Sequence, residues 1–375
     1  MFELLCSFAV SLGVTLRVVR SAKSHSLDHD LSGPQKFHAL PVPRIGGVGI
    51  LAGLLVGLGI LWMQGSDAGT LGLTILACGI PAFAAGLVED LTKRVRARDR
   101  MMAVAVSAGL AFWLVGAAIS RTDIPGLDWL VTFTLGSALL TVFAVTGTAN
   151  SVNIVDGFNG LASMCVVIML AALGYVAFQV GDPVIGTLAL VGVGAVLGFF
   201  FWNFPAGKVF LGDGGAYFLG FFVAELSILL LLRNPDVSPL FPLLVCFYPV
   251  FETVFSIYRR RVLRSLPTSA PDGIHLHSLI YRRVMRWAVG DGSAASLARC
   301  NSMTSPCLWL LCVAAAGPAV LFWNDSALLS VFLALFALIY VSLYWSIVRF
   351  QSPRWMHWLT LTQPAALEEG DNPGT

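Results

Sequence analysis

The chain has 375 residues, of which 57% are hydrophobic and 12% charged, with a formal net charge of +2. Soluble domains carry roughly 25% charged residues, so a solvated globular enzyme and a disordered chain are both excluded. So small a net charge leaves no basic footprint for nucleic acid, and no nucleic-acid partner is expected.

The class that remains is an all-α polytopic membrane protein. A spanning helix needs roughly 20 apolar residues. Apolar runs lie at about 1–18, 45–64, 70–89, 101–120, 128–148, 160–180, 183–202, 215–232, 239–258, 305–323 and 326–348. These predict 10–11 transmembrane helices. The first run lacks a basic start and a small-residue cleavage site, so it reads as a retained helix rather than a signal peptide.

With eleven spans and the N-terminus outside, the inner segments hold 21 of the 23 Lys and Arg residues. Only Arg121 and Arg233 fall outside, so the positive-inside rule sets the orientation, with the C-terminus cytoplasmic. Residues 1–352 read as one integral-membrane domain and 353–375 as a cytoplasmic tail. The seven cysteines form no CxxC pair and read as small buried hydrophobes.

Chemically capable side chains gather in the inner segments. The first, HDLSGPQKFHALPVPRIGG at 29–47, offers Lys36, His38 and Arg44 as phosphate contacts, or is an ordinary positive-inside loop. The second places Glu89 and Asp90 at a helix end, ahead of Lys93, Arg94, Arg96, Arg98 and Arg100. Adjacent carboxylates there lie at the unfavourable end of the helix dipole. They suit Mg²⁺ or a proton, or else a solvated cap with internal salt bridges.

In the third segment Asn150, Asn153 and Asp156 recur every three residues, and Asn159 extends the series. Polar groups are costly in so apolar a chain. This ladder suits a metal or a nucleobase, or a hydrogen-bond network between helices. The fourth segment sets Asp213 among Gly212, Gly214 and Gly215, with Lys208 just before. Backbone amides at a helix start favour an anion, and Asp213 could hold a bridging cation. The fifth carries His275 and His277, followed by Arg282, Arg283 and Arg286. Without a further ligand set, this pair favours a phosphate or sugar over zinc. Glu225 and Glu252 lie inside apparent spans and are functional candidates by default.

Taken in order, these five segments resemble the polyprenyl-phosphate N-acetylhexosaminyl-1-phosphate transferase family, of glycosyltransferase family 4 type. The resemblance runs from about residue 29 to residue 286. His38, Pro43, Arg44, Gly46 and Gly47 match the first-loop motif, and Glu89–Asp90 the acidic pair. Asn150, Asn153, Asp156, Gly157, Gly160, Leu161 and Ala162 match NxxNxxDGxDGLA. Asn203, Phe204, Pro205, Lys208, Phe210, Gly212, Asp213 and Gly215 match NFPPAKxFxGDxG, and His275 and His277 the HxH loop. Three positions depart from the pattern. Glu89 replaces an Asp, Asn159 replaces the second Asp of DGxDG, and HLHS has fewer histidines than the peptidoglycan branch. The pattern looks more like the O-antigen-initiating branch.

The resemblance implies transfer of N-acetylhexosamine-1-phosphate from a UDP-sugar to undecaprenyl phosphate, with UMP released. It implies a bacterial inner membrane, a periplasmic N-terminus and an active site facing the cytoplasm. Mg²⁺, with Mn²⁺ as the alternative, would sit on Asp213 with Asn153 as second ligand. Asp90, with Glu89 beside it, would orient or deprotonate the lipid phosphate. Asp156 and Asn159 would serve the nucleotide side, Asn150 would also bind substrate, and Lys36, Arg44, Lys208, His275 and His277 would contact the phosphates or sugar. Membrane lipids surround the chain, and a homodimer is left open. The main rival reading is a multi-span transporter of a nucleotide-sugar or lipid-linked sugar, whose site would lie near the bilayer midplane.

Overall fold

The computed structural model describes residues 1–21, 42–263, 273–285 and 294–349. Lys36, His38, Arg286 and the tail 353–375 lie outside the described residues. Every regular element among the described residues is helical, and each of the eleven apolar runs is carried by helix.

In chain order the helices are α1 (Phe2–Ser21), α2 (Gly47–Met63), α3 (Asp67–Cys78), α4 (Ile80–Thr92), α5 (Ala97–Leu114), α6 (Leu127–Val131) and α7 (Thr134–Val155). Then come α8 (Leu161–Gln179), α9 (Pro183–Asn203), α10 (Gly212–Arg233), α11 (Leu240–Val245) and α12 (Phe247–Tyr258), which runs into a π-helical turn, Arg259–Leu263. After α13 (Leu276–Leu279) and a second such turn, Ile280–Met285, come α14 (Ala294–Leu321) and α15 (Ser326–Val348). Among the described residues, seven helices are long and apolar enough to cross a membrane. An eighth crossing is formed if α3 and α4, bent by 47°, are one span. The other runs fall on the shorter α2, on α5 with its charged first turn, and on the broken pair α11–α12.

Two boundaries differ from expectation. α14 starts at Ala294 rather than at 305, so Asn301, Ser302 and Thr304 are helical. Hydropathy missed them because they face other protein segments instead of lipid. α5 starts at Ala97 rather than 101, bringing Arg98, Asp99 and Arg100 into its first turn.

The core is built around α10. Every residue from Gly212 to Leu230 is buried, as expected of a helix that is apolar all round. α4, α7 and α8 pack against it. α1 lies on α2 and α9. It buries Ser7, Ser11 and Thr15, a small-residue seam of the kind that lets helices approach closely in lipid. A Cβ at Gly53 in α2 would fall 2.6 Å from the Ser7 carbonyl oxygen, so only glycine fits that crossing.

The far ends of α9 and α10 are clasped together. Asp182 caps α9 by accepting from the Ile185 amide. Arg233 donates to both its oxygens at 2.7 and 3.2 Å, and Asn234 Nδ2 adds a bond of 3.1 Å. Arg121 donates to the Asn234 and Val237 carbonyls. At the near end of α10, Asp213 meets candidate residues that come from other elements.

Candidate active site

The start of α10 is the centre of the cluster. Gly212 has φ +76°, and a Cβ there would strike the Arg44 carbonyl, so the turn requires glycine. That turn aims the Asp213 and Gly214 amides at Asp90, whose Oδ1 and Oδ2 accept from them at 3.0 Å each. The anion at this helix N-terminus is therefore the protein's own carboxylate. Asp90 is 3% exposed and is engaged at both oxygens. Its neighbour Glu89 turns elsewhere, accepting from the Val95 amide at 2.7 Å and closing the α4–α5 turn.

Asp213 is reached from three other elements. Asn153 Nδ2, near the end of α7, donates to its Oδ1 at 3.1 Å. Arg44 lies 3.6 Å from Asp213 Oδ1 and 3.7 Å from Asp90 Oδ1. The chain around Arg44 is pinned against the α10 approach by Phe210 donating to Pro43, and by Gly46 and Gly47 donating to Phe210 and Leu211. Arg100, from the first turn of α5, pairs with Asp213 Oδ2 and lies 5.7 Å from the Tyr217 ring. In the sequence Arg100 is only the last member of the basic run that follows Asp90. The missing information was the early start of α5.

The turn after α7 forms the next wall. Asp156 is half-buried, and loss of solvent pushes its carboxyl up to about 7, with Arg44 opposing the rise and Asp90 adding to it. Asn159 is instead woven into the scaffold. Its amide nitrogen donates to Asn301 Oδ1 at 2.9 Å, its side chain donates to the Pro205 carbonyl at 3.3 Å, and its carbonyl accepts from Ser305. Asn203 ties the same turn to the fourth segment, accepting from the Gly160 amide and donating to the Val209 carbonyl. Asn301, Ser302, Ser305 and Trp309 of α14 all brace these two loops. A polar run, NSMTS, at the head of an apolar stretch is the signal that could have revealed them.

The HxH loop closes over the Asp156 turn. His275 and His277 are 5% and 4% exposed, and their rings stack with centroids 5.1 Å apart. His277 Nε2 lies 3.2 Å from where a Gly157 Cβ would stand. His275 Nδ1 meets Glu252 Oε1 at 2.9 Å, so this intramembrane carboxylate belongs to the site's support.

Three other candidates stand apart from the cluster. Lys208 is exposed, with its ammonium 5.3 Å from the Trp202 ring centroid. Asn150 is half-buried in α7, and no hydrogen bond of its side chain is seen among the described residues. Glu225 is fully buried in α10, and among the described residues neither of its oxygens is hydrogen-bonded.

Among the described residues no three His, Cys, Asp or Glu side chains group as metal ligands. Mg²⁺ needs fewer from the protein, because it keeps waters and binds through one or two carboxylates plus substrate phosphates. Asp213 and Asn153 meet that need, since the amide can turn its oxygen to the ion. Two arginines, Arg44 and Arg100, the kind of side chain that suits phosphate oxygens, place positive charge beside Asp213.

The glycosyl transferase family 4 model matches residues 72–231, a segment that includes Asp90, Asn153, Asp156 and Asp213. A probable undecaprenyl-phosphate N-acetylglucosaminyl 1-phosphate transferase of Bacillus subtilis is 31% identical over 287 residues, covering 74% of this chain and 77% of the relative. The chain belongs to glycosyl transferase family 4. An undecaprenyl-phosphate alpha-N-acetylglucosaminyl 1-phosphate transferase of Thermotoga maritima is 29% identical, with 76% and 82% of the two chains covered. A phospho-N-acetylmuramoyl-pentapeptide-transferase of Streptococcus thermophilus is 41% identical over 131 residues, covering 34% of this family 4 chain and 38% of the relative.

Proposed function

We propose that this family 4 protein transfers N-acetylhexosamine-1-phosphate from a UDP-sugar to undecaprenyl phosphate, giving undecaprenyl-diphosphate-sugar and UMP. The observation that carries the reading is the convergence of Asp90, Arg44, Arg100, Asn153 and Asp213 at one helix N-terminus. N-acetylglucosamine is the first donor to test, because both relatives covering about three quarters of the chain are named for it. The product would enter O-antigen or related cell-surface polysaccharide assembly.

Two anions must meet in this reaction, so positioning and charge neutralisation outweigh covalent chemistry. Arg44 and Arg100 would bind the diphosphate and phosphate oxygens. Asp213, with Asn153, would hold Mg²⁺ or Mn²⁺. Bound there, the metal supplies charge to the diphosphate and the departing UMP. Asp90 holds Asp213 and the α10 start in place through two backbone amides. Near neutral pH the lipid phosphate is largely ionised, its second pKa being about 6, so Asp90 need take no proton. Asp156 would face the nucleotide, while His275, His277, Lys208 and Lys36 would serve the sugar and phosphates. Glu89 and Asn159 would shape the loops.

The inner-segment basic residues and the positive-inside rule favour eleven spans, a periplasmic N-terminus and a site on the cytoplasmic side of a bacterial inner membrane. One assay tests the whole reading. Purified full-length protein, Mg²⁺, undecaprenyl phosphate and a panel of UDP-N-acetyl sugars should yield UMP and a lipid-linked sugar. Sugar uptake into vesicles without UMP release would favour the transporter instead.

A further inference from the structure

The HxH loop hangs between α12 and α15 on two parallel clamps. The first is Glu252, 0% exposed, which accepts from three groups. His275 Nδ1 lies 2.9 Å from its Oε1, Tyr340 Oη donates to its Oε2 at 2.6 Å, and the Leu276 amide reaches both oxygens at 3.3 Å. The second clamp is Arg259, also buried, which donates to the Ile274 carbonyl and to Tyr344 Oη at 2.8 Å each. Glu252 and Arg259 are seven residues apart, and Tyr340 and Tyr344 four apart, so each pair shares one helix face.

This geometry has a chemical consequence. An acceptor-only carboxylate against Nδ1 requires the proton to sit on that nitrogen. Tyr340 and the Leu276 amide keep the carboxylate from turning away. The oriented His275 ring stacks on His277, and His277 packs against the Asp156–Gly157 turn. Glu252 is thereby linked to the site through two rings in series.

We propose that Glu252 and Tyr340 are positioning residues for the transfer step, fixing the ring and tautomer of His275 and so holding the HxH loop against the Asp156 turn. Helix α15, the last among the described residues, then supports the transfer step. Both residues lie beyond the family-matched segment, which ends at residue 231. The inference rests on the transfer reaction proposed above.

The test uses full-length protein in detergent with undecaprenyl phosphate, UDP-N-acetylglucosamine and Mg²⁺. Partners that orient functional histidines are worth about 10–100-fold, so Glu252→Gln should lower kcat by that factor and leave KM for the donor nearly unchanged. Tyr340→Phe, which keeps the ring, should give a smaller loss of the same kind. The double variant E252Q/H275A should be no slower than H275A alone, because Glu252 acts through His275. Independently, ¹⁵N solid-state spectra of histidine-labelled protein should show the protonated Nδ1 of His275 in the wild type and its change in E252Q. Multiplying losses in the double variant, or an unchanged His275 spectrum in E252Q, would overturn the proposal. A fully active H275A would remove the role given to that ring, and the inference with it. A wild-type protein that releases no UMP would sink the transfer reading instead, and the nitrogen spectra would still decide whether Glu252 holds the ring.

Discussion

The two ends of α9 and α10 carry similar residues and use them differently. At one end Asp182, Arg233 and Asn234 close on one another, with both carboxylate oxygens satisfied at short range. At the other end Arg44 stands 3.6–3.7 Å from two carboxylates without a tight bond to either. No hydrogen bond to the Asp156 side chain is seen there among the described residues. The first arrangement is a clasp with its bonding capacity used up. The second gathers Arg44, Arg100, Asp90 and Asp213 at one helix start, a charge pattern that suits a ligand with phosphate oxygens.

Substitution should separate the two ends. The largest effect is expected for Asp213→Asn, which removes the one carboxylate that Arg44, Arg100 and Asn153 share. Losing such a charge-stabilising group costs on the order of 10³-fold in turnover, measured as UMP release, while the protein still inserts in membranes. Substantial turnover in purified D213N would defeat the assignment. Asp90→Asn comes next. Its amide nitrogen would face a backbone N–H, stranding a buried donor at about 1–3 kcal/mol, so both turnover and melting temperature should fall. A D90N enzyme with normal stability and rate would show that the helix start needs no such anchor.

Asp182→Asn should do the reverse, lowering the melting temperature with turnover unchanged. Burial raises the Asp182 carboxyl, but its bonds to Arg233 and Asn234 prevail and hold it below the usual range. The stability it contributes is therefore present above the ordinary carboxylate pKa and lost as pH falls through the lowered one. The wild type should lose more stability on acidification than D182N, and a parallel loss would break the comparison.

The smallest effect concerns Asp156. Its carboxyl is pushed up to about 7 by burial, so the folded chain binds this proton more tightly than the unfolded chain. Its contribution is full below the ordinary carboxylate pKa and declines as pH rises toward 7. Ligand-free Asp156→Asn should match the wild type in acid and melt higher than it at pH 8. Equal melting curves at pH 8 would mean that the turn is wetter than its packing suggests.

Much of the site could be read from residue types. Scarce carboxylates in an apolar chain are conspicuous, and Glu89, Asp90, Asp156 and Asp213 stand out for that reason. Their division of labour could not be read. Asp90 and Glu89 are adjacent, yet one anchors α10 and the other closes a turn, because successive helical residues point about 100° apart. Asn159 stands where the motif has an Asp, and its backbone and side-chain amide bond to α14 and the Pro205 carbonyl, contacts that spacing could not foretell. Arg100, Asn301 and Tyr340 lie 113, 88 and 127 residues from Asp213, and no local pattern ties them to it.

By itself, the sequence determined the class of molecule and the chemistry available to it. Apolar runs of bilayer length demand helices, because a backbone in lipid must satisfy its own hydrogen bonds. With charge so rare, the few charged clusters mark where function must lie. The tertiary structure alone decided which charges meet. Contact between α4, α7 and the start of α10, and the reach of α14 and α15 over the loops, depend on packing between segments distant in the chain. Spacing along a sequence carries no measure of that distance.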